Sequence, residues 1–346
     1  MQSDLIRSEL SRDLGISVVA LDCIAGGRNS RIYKIRMADS REYAAKYYFC
    51  GKADQRDRLS VEFGSLRFLW GNGIRCIPEP ILADGSRNYA VYEYVLGERI
   101  PSPGVTASDI DHAVEFLGTL RELVSRDGSE SIPSASEAFF SVRGVVLNIE
   151  QRLQRLLSIK SHGVLTRELE TFLKREFVPI FEDVREGLKV RLRKEAISFD
   201  EAIGRDQRTL SPSDFGFHNA LRRDGEIVFL DFEYFGWDDP AKTISDFLLH
   251  PAMELNADLK RRFAAGILGR LNGSGHLHTR VRLLYPLFGL KWCLILLNEF
   301  IPEDLGRRLF AFKEEVDRED LQAQQMQKAR RMLERIRSEY GHFSYC

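Results

Sequence analysis

No two of the five cysteines form a CxxC pair, and none stands with a histidine at zinc-ligand spacing. The set is odd in number and scattered: Cys23, Cys50, Cys76, Cys293 and Cys346. That pattern excludes a disulfide scaffold and a structural zinc site. The first ten residues, MQSDLIRSEL, carry charges where a secretory signal needs an apolar run. With reduced thiols, this gives the expectation of a cytoplasmic protein. An excess of either charge is also lacking. There are 50 basic and 51 acidic residues, a net charge of −1, so the chain has no global electrostatic footprint for nucleic acid or an anionic membrane. Neither internal repeats nor low-complexity tracts occur. One long apolar run stands out, LLYPLFGLKWCLILLNEF at 283–300. It contains Pro286, Gly289 and Lys291, and a lysine near mid-span costs about 2.5–3.5 kcal/mol on insertion scales. The expectation is a buried core helix rather than a membrane span.

What is present is an ordinary soluble composition, 44% apolar and 29% charged, in 346 residues. That length accommodates two domains or one two-lobed fold. Residues 3–14 have the period of a short amphipathic helix. From Val18 to Phe49 the pattern changes to short β-type runs, VVALDCI, RIYKIRM and EYAAKYYF, with GGRNS and ADSR between them. Residues 54–70 return to helical spacing, with Leu59, Phe63, Leu66 and Leu69 on one face. PILADGSRNYAVYEYV then reads as two strands around a turn. Beyond Gly97, helical periods dominate at 107–126, 137–160, 166–195, 240–250, 256–271, 279–300 and 315–340. The organisation is therefore α+β and two-lobed. A strand-rich N-lobe with one long helix spans 1–96, and a larger, mainly helical C-lobe spans 97–346.

Five stretches carry the residue types that phosphoryl transfer needs. In AGGRNS, Gly26 and Gly27 followed by Asn29 and Ser30 can lay backbone N–H groups over phosphate oxygens. Strand alternation puts Lys46 on the same face as Ala44, and a lysine pointing inward from a strand calls for an anion. Glu62 borders the apolar stripe of the 54–70 helix, where it can pair with Lys46. In SPSDFGFHNALRRDGEIVFLDFEYFGWDDP, residues 211–240, Asp214 precedes Asn219 by five positions and an apolar run ends at Asp231. This places a carboxylate for the acceptor hydroxyl beside an amide oxygen and a second carboxylate. Oxygen ligands of that kind suit magnesium, a hard cation. Finally, Asp239 before Pro240 reads as a helix start, with Asp246 on its second turn, either reaching back to the loop or lying on the surface. Taken singly, each stretch has a plain alternative: a glycine hairpin, a solvated lysine or glutamate, a polar turn. Their order along the chain is what carries the reading.

That order resembles the aminoglycoside phosphotransferase and choline kinase-like family of small-molecule kinases, and so implies a protein-kinase-like fold. SDFGFHN is similar to the family loop HGDFGPHN, and FLDFEYFGWDDP to its IDWEYAGWGDP segment. The resemblance implies Asp214 as catalytic base and Asn219 and Asp231 as magnesium ligands. It implies that Lys46, oriented by Glu62, meets the nucleotide phosphates, which residues 26–30 would cover. Glu93-Tyr94-Val95 would be the adenine hinge, and Glu233 an auxiliary contact. Lys46→Ala is then expected to weaken ATP binding with little loss of stability. The departure is Pro212, where the family has histidine. The metal segment reads DFE rather than DFG and no APE follows, which argues against protein-kinase activity.

The implied cofactors are magnesium and ATP, and the hinge sequence does not choose between ATP and GTP. The implied partner is a small molecule bearing a hydroxyl, with no nucleic acid and no membrane; the oligomeric state is not legible. Residues 141–208 carry 14 basic and 11 acidic side chains, and 276–346 carry 12 and 10. A polycationic aminoglycoside calls for the reverse balance, so a sugar or similar metabolite is favoured. Trp237 and Trp292 are candidates for a choline cage, with core packing the simpler role for Trp292. A second reading, a weak or inactive nucleotide-binding scaffold on the same fold, rests on Pro212.

Overall fold

The computed structural model describes residues 2–24, 30–49, 56–160, 163–271, 276–311, 317–341 and 343–345. It divides into two compact units. The first is Met1–Arg99 together with Asn219–Tyr234 and a short piece beginning at Gly306; the second holds the remainder.

The first unit is built on a five-stranded antiparallel sheet in the order β1-β2-β3-β5-β4. The strands are β1 (Val18–Ile24), β2 (Ser30–Met37), β3 (Glu42–Tyr48), β4 (Pro80–Asp84) and β5 (Tyr89–Glu93). Period-2 alternation gives the sheet two working faces. On one, Ala45, Ile35, Met37 and Val91 pack against Ile6 and Leu10 of α1 (Gln2–Leu14). The opposite face presents Lys46 and Tyr48 to Glu62 of α2 (Arg58–Gly71). Asp57 caps α2 by accepting the Ser60 amide. A second sheet, β6-β8-β9, joins β6 (Glu98–Arg99) to the hairpin of β8 (Ala220–Arg223) and β9 (Glu226–Phe229). The Asp224-Gly225 turn of that hairpin has φ of 52° and 86°, the left-handed pair that an Asp-Gly turn supplies. The Phe229 amide donates to the Cys76 carbonyl and ties this hairpin into the unit.

The second unit is mainly helical: α3 (Ala107–Glu122), α4 (Val142–Leu157), α5 (Val164–Phe172), α6 (Val178–Lys194), α7 (Pro240–Leu249), α8 (Ala257–Leu271), α9 (Leu277–Leu296) and α11 (Arg318–Glu339). Helix α10 (Pro302–Ala311) precedes α11. Helices α4, α6, α7, α8 and α11 all pack on α9. The apolar run Leu277–Phe300 is long and apolar enough to cross a membrane, but 78% of an 18-residue apolar window within it is buried inside the protein. It is a core helix.

Three helical expectations are adjusted. The helix expected from 137 starts at Val142, because Ser141 caps it through the Gly144 amide. The residues before it turn instead, with Glu137 at φ 61° and the Ala138 amide donating to the Ala135 carbonyl, and Ser134 bridges to Trp237 in β10 (Gly236–Asp238), which pairs with β7 (Thr209–Ser211). The helix expected over 166–195 widens to a π turn at Leu173–Phe177, just before Pro179, which has no N–H and crowds the carbonyl four residues back. The helix expected from 315 starts at Arg318, where Asp317 accepts the Glu319 and Asp320 amides.

Gly236 marks the tightest backbone approach in this region. A Cβ there would lie 2.4 Å from the Pro133 carbonyl oxygen and 2.5 Å from the Ala135 nitrogen. Backbone cannot swing aside as a side-chain tip does. Gly236→Ala is therefore expected to cost about 3 kcal/mol, read as a shifted urea unfolding midpoint at unchanged slope; an unshifted midpoint would show that the strand accommodates the methyl.

Candidate active site

In the first unit, β3 and α2 bring Lys46 and Glu62 together. Lys46 is 6% exposed and Glu62 3%. Lys46 Nζ donates to Glu62 Oε2 and to Asp231 Oδ1, each at 2.7 Å, and lies 3.9 Å from Glu233. Burial works against the ammonium charge, but Asp231, Glu62 and Glu233 outweigh it and hold the Lys46 pKa well above its usual range. Glu62 also accepts from the Tyr48 hydroxyl, at 2.8 Å, and from the Phe232 amide, at 3.2 Å. One glutamate thus ties a strand lysine to the segment after β9. Asp231 sits there at φ 65°, a left-handed position that Asp tolerates better than most residues. The Asn219 carbonyl accepts the Leu230 amide, which sets Asn219 beside the end of that strand.

Carboxylate oxygens of Glu62, Asp231 and Glu233 all lie within 4.8 Å of one another. An all-oxygen donor set of this kind fits a hard divalent cation such as magnesium. Ser30 opens β2, buried, opposite Tyr48. Gly26, Gly27 and Asn29 lie outside the described residues. At the proposed hinge, the Glu93 amide donates to the Glu79 carbonyl. Its carboxylate accepts from Arg223 at 2.8 Å, and Val95 is buried.

Asp214 belongs to the second unit, as do His218 and the residues before it; the D-x4-N loop passes between units at 218–219. Its backbone is sharply bent. The Asp214 amide donates to the Pro212 carbonyl at 2.9 Å, with Ser213 at φ 67° between them, a γ-turn that is rare outside constrained loops. Three contacts hold that bend. Ser213 N–H donates to Ser211 Oγ, its own hydroxyl donates to the Ser136 carbonyl, and Lys242 Nζ donates to Ser213 Oγ at 2.9 Å. Lys242 is buried on α7 between Asp238, at 2.8 Å, and Asp246, at 3.2 Å. Asp246 therefore does not reach the loop backbone itself. It pairs with Lys242 and accepts the Trp292 indole N–H at 2.8 Å.

The carboxylate of Asp214 meets two imidazoles: His218 Nε2 at 3.2 Å and His250 Nε2 at 3.3 Å, both on Oδ1. Burial pushes the Asp214 pKa up, but these two contacts outweigh it and hold the group well below the usual carboxylate range. The connection after α7 braces the loop twice, since the Phe217 amide also points at Met253 Sδ, 3.2 Å away.

Two side chains change roles from the sequence reading. Trp292 is only partly buried and stands edge-on to His250, with ring centroids 4.7 Å apart. Trp237 is the core residue, with its indole N–H on the Ser129 carbonyl. Lys242 and His250 were not singled out beforehand. The i, i+4, i+8 row Asp238, Lys242, Asp246 was a visible signal for Lys242; nothing local marks His250.

No protein-family model matches the chain, and no curated protein does either. Solved structures do. An ADP-bound aminoglycoside phosphotransferase, APH(2'')-Ib, is 17% identical, with a TM-score of 0.57 over 94% of this chain and 95% of that one. Choline kinase LicA from Streptococcus pneumoniae is 15% identical, with a TM-score of 0.59 over 96% and 99%. Spectinomycin phosphotransferase APH(9)-Ia, in complex with ADP and spectinomycin, is 14% identical, with a TM-score of 0.63 over 94% and 98%. The fold is the α+β, protein-kinase-like fold of these small-molecule kinases.

Proposed function

We propose that this protein is an ATP- and magnesium-dependent phosphotransferase that moves the γ-phosphate to a hydroxyl of a small, uncharged molecule such as a sugar. The observation that carries the reading is the buried Lys46–Glu62 pair meeting Asp231 within one compact unit. A lysine held by a glutamate beside a metal-binding carboxylate is the arrangement that kinase phosphate binding uses. The nucleotides bound in the similar structures support the same choice.

In this mechanism Lys46 binds the phosphates and Glu62 keeps it aimed. Asp231 and Asn219, with Glu233 beside them, would hold magnesium, whose chemistry is to neutralise charge on the phosphate oxygens. Asp214 accepts the proton of the acceptor hydroxyl, for which its depressed pKa keeps it ionised.

Charge pairing supports an uncharged acceptor. Glu137 pairs with Arg152 at 2.6 Å and Lys291 at 3.4 Å, Asp238 and Asp246 with Lys242, and Asp239 with Arg280. Burial raises the Glu137 pKa, yet Lys291 and Arg152 bring it down to about 2. These carboxylates are already matched by internal cations, whereas a polycationic drug calls for unmatched ones. The test is an ADP-release screen over sugars, other hydroxyl metabolites, choline and aminoglycosides, with and without magnesium. Magnesium-dependent turnover with a neutral acceptor is expected; turnover only with aminoglycosides would overturn the acceptor class. Nucleotide binding without turnover on any acceptor would favour the scaffold reading that Pro212 raises.

Lys46→Ala is expected to weaken ATP binding by about tenfold or more, the worth of a charge-assisted hydrogen bond. The same change now carries a structural cost that the sequence did not suggest. It strands Glu62 and Asp231 side by side without their cation, and breaking a buried pair this way costs about 3–5 kcal/mol. Calorimetric titration and thermal melting separate the two effects; equal ATP affinity in the folded variant would remove Lys46 from the nucleotide site.

A further inference from the structure

The cluster of Asp214, His218 and His250 has two chemical readings. Its ligand atoms lie within 4.8 Å of one another, as a metal centre's would. It can equally be a carboxylate held by imidazole hydrogen bonds. The other ring nitrogen of His250 decides between them. His250 Nδ1 accepts the backbone amide of Ala252 at 3.2 Å. An acceptor nitrogen carries no proton, so the proton of the neutral ring must sit on Nε2. That nitrogen faces Asp214 Oδ1. A metal-bound histidine has the opposite arrangement, with its free nitrogen donating.

We propose that His250 is a positioning residue that holds the Asp214 carboxylate through an Nε2–H donor whose tautomer is set by the Ala252 amide. The ring has two aromatic neighbours. His218 stacks on it, 3.8 Å away and 6° from parallel, and Trp292 makes a T-shaped contact with it at 80°. Trp292 is in turn fixed by its indole hydrogen bond to Asp246. Burial, first, lowers the His250 pKa and outweighs the opposing pull of the Asp214 hydrogen bond, with the neighbouring His218 lowering it further, which favours the neutral ring. The consequence is orientation. The γ-turn at Ser213 aims the backbone of Asp214, and His250 stops the carboxylate turning about its own bond. The catalytic part of this inference rests on the function proposed above; the hydrogen bond does not.

Two measurements on the full chain test it. In protein labelled with ¹⁵N-histidine, long-range proton–nitrogen correlation, with the His250 signals identified by their loss in His250→Gln, is expected to show a neutral ring protonated at Nε2. A ring protonated at Nδ1, or at both nitrogens, overturns the inference. So does stoichiometric Zn²⁺ binding that His250→Gln abolishes, which would make the cluster a metal centre. In kinetics, His250→Ala is expected to lower kcat by about 10²-fold, the effect of a misplaced reacting group, with ATP and acceptor KM nearly unchanged. His250→Gln presents an amide N–H at the same place and is expected to recover most of that loss, which a purely structural role would not predict. Full kcat in His250→Ala overturns the positioning role. A wild type inactive on every acceptor defeats the kinase reading instead, and the tautomer then decides the hydrogen bond alone.

Discussion

Asp214→Asn is expected to lower turnover by about 10²–10⁴, the usual worth of a positioned base, while nucleotide affinity and melting temperature stay near those of the wild type. The substitution is chosen because Asn has nearly the same shape and keeps an oxygen that can accept from His250 and His218, whose Nε2 atoms both lie within 3.3 Å of Oδ1. The loop geometry does not depend on the Asp214 charge. It rests on Ser213, Ser211, Ser136 and Lys242. What disappears is the capacity to take the acceptor's proton. The loss should therefore fall on kcat and kcat/KM alike, with KM for ATP unaffected. Rates for the two proteins at saturating ATP decide the matter, and full activity in Asp214→Asn would take Asp214 out of the mechanism.

Asp231→Asn should have an effect of comparable size by a different route. Removing the carboxylate proposed to hold the metal forfeits several kcal/mol of charge neutralisation on the phosphates, a loss of about 10³-fold in turnover. Asn suits the left-handed backbone at φ 65° as well as Asp does, so the segment itself should survive. Lys46 keeps Glu62 as its partner at 2.7 Å. The signature is the response to magnesium. In the wild type, magnesium should tighten ATP binding; in the variant, titrations with and without it should coincide. A magnesium response of undiminished size in Asp231→Asn would locate the metal on other residues.

The candidate residues were unequally legible. Lys46 and Glu62 could be paired in advance because each lies on a face set by its own element's period, two for the strand and 3.6 for the helix. The D-x4-N spacing was legible as a pattern of residue types along the chain. Asp246 and Trp292 were misjudged. Asp246 could reach the loop or lie on the surface by its sequence; it does neither and is buried between Lys242 and the Trp292 indole. Trp292 sits in the most apolar run of the chain, yet it turns toward His250 and remains partly exposed, while Lys291 beside it is buried against Glu137. Hydropathy averages over a helix and cannot say which side of it meets a charged neighbour.

By itself the sequence determined the class of fold, the order of the parts proposed for phosphoryl transfer and the choice of Asp214, Asn219 and Asp231 as candidates. These follow from backbone periodicity and short-range spacing, which act within a few residues. Tertiary structure alone decided which side chains hold the loop that follows Pro212. The imidazoles on Asp214 come from four residues downstream and from the far end of α7, and the Lys242 that braces the loop comes from the start of that helix. A contact between residues 36 apart depends on how a helix ends and how the next loop returns, and no local pattern encodes that.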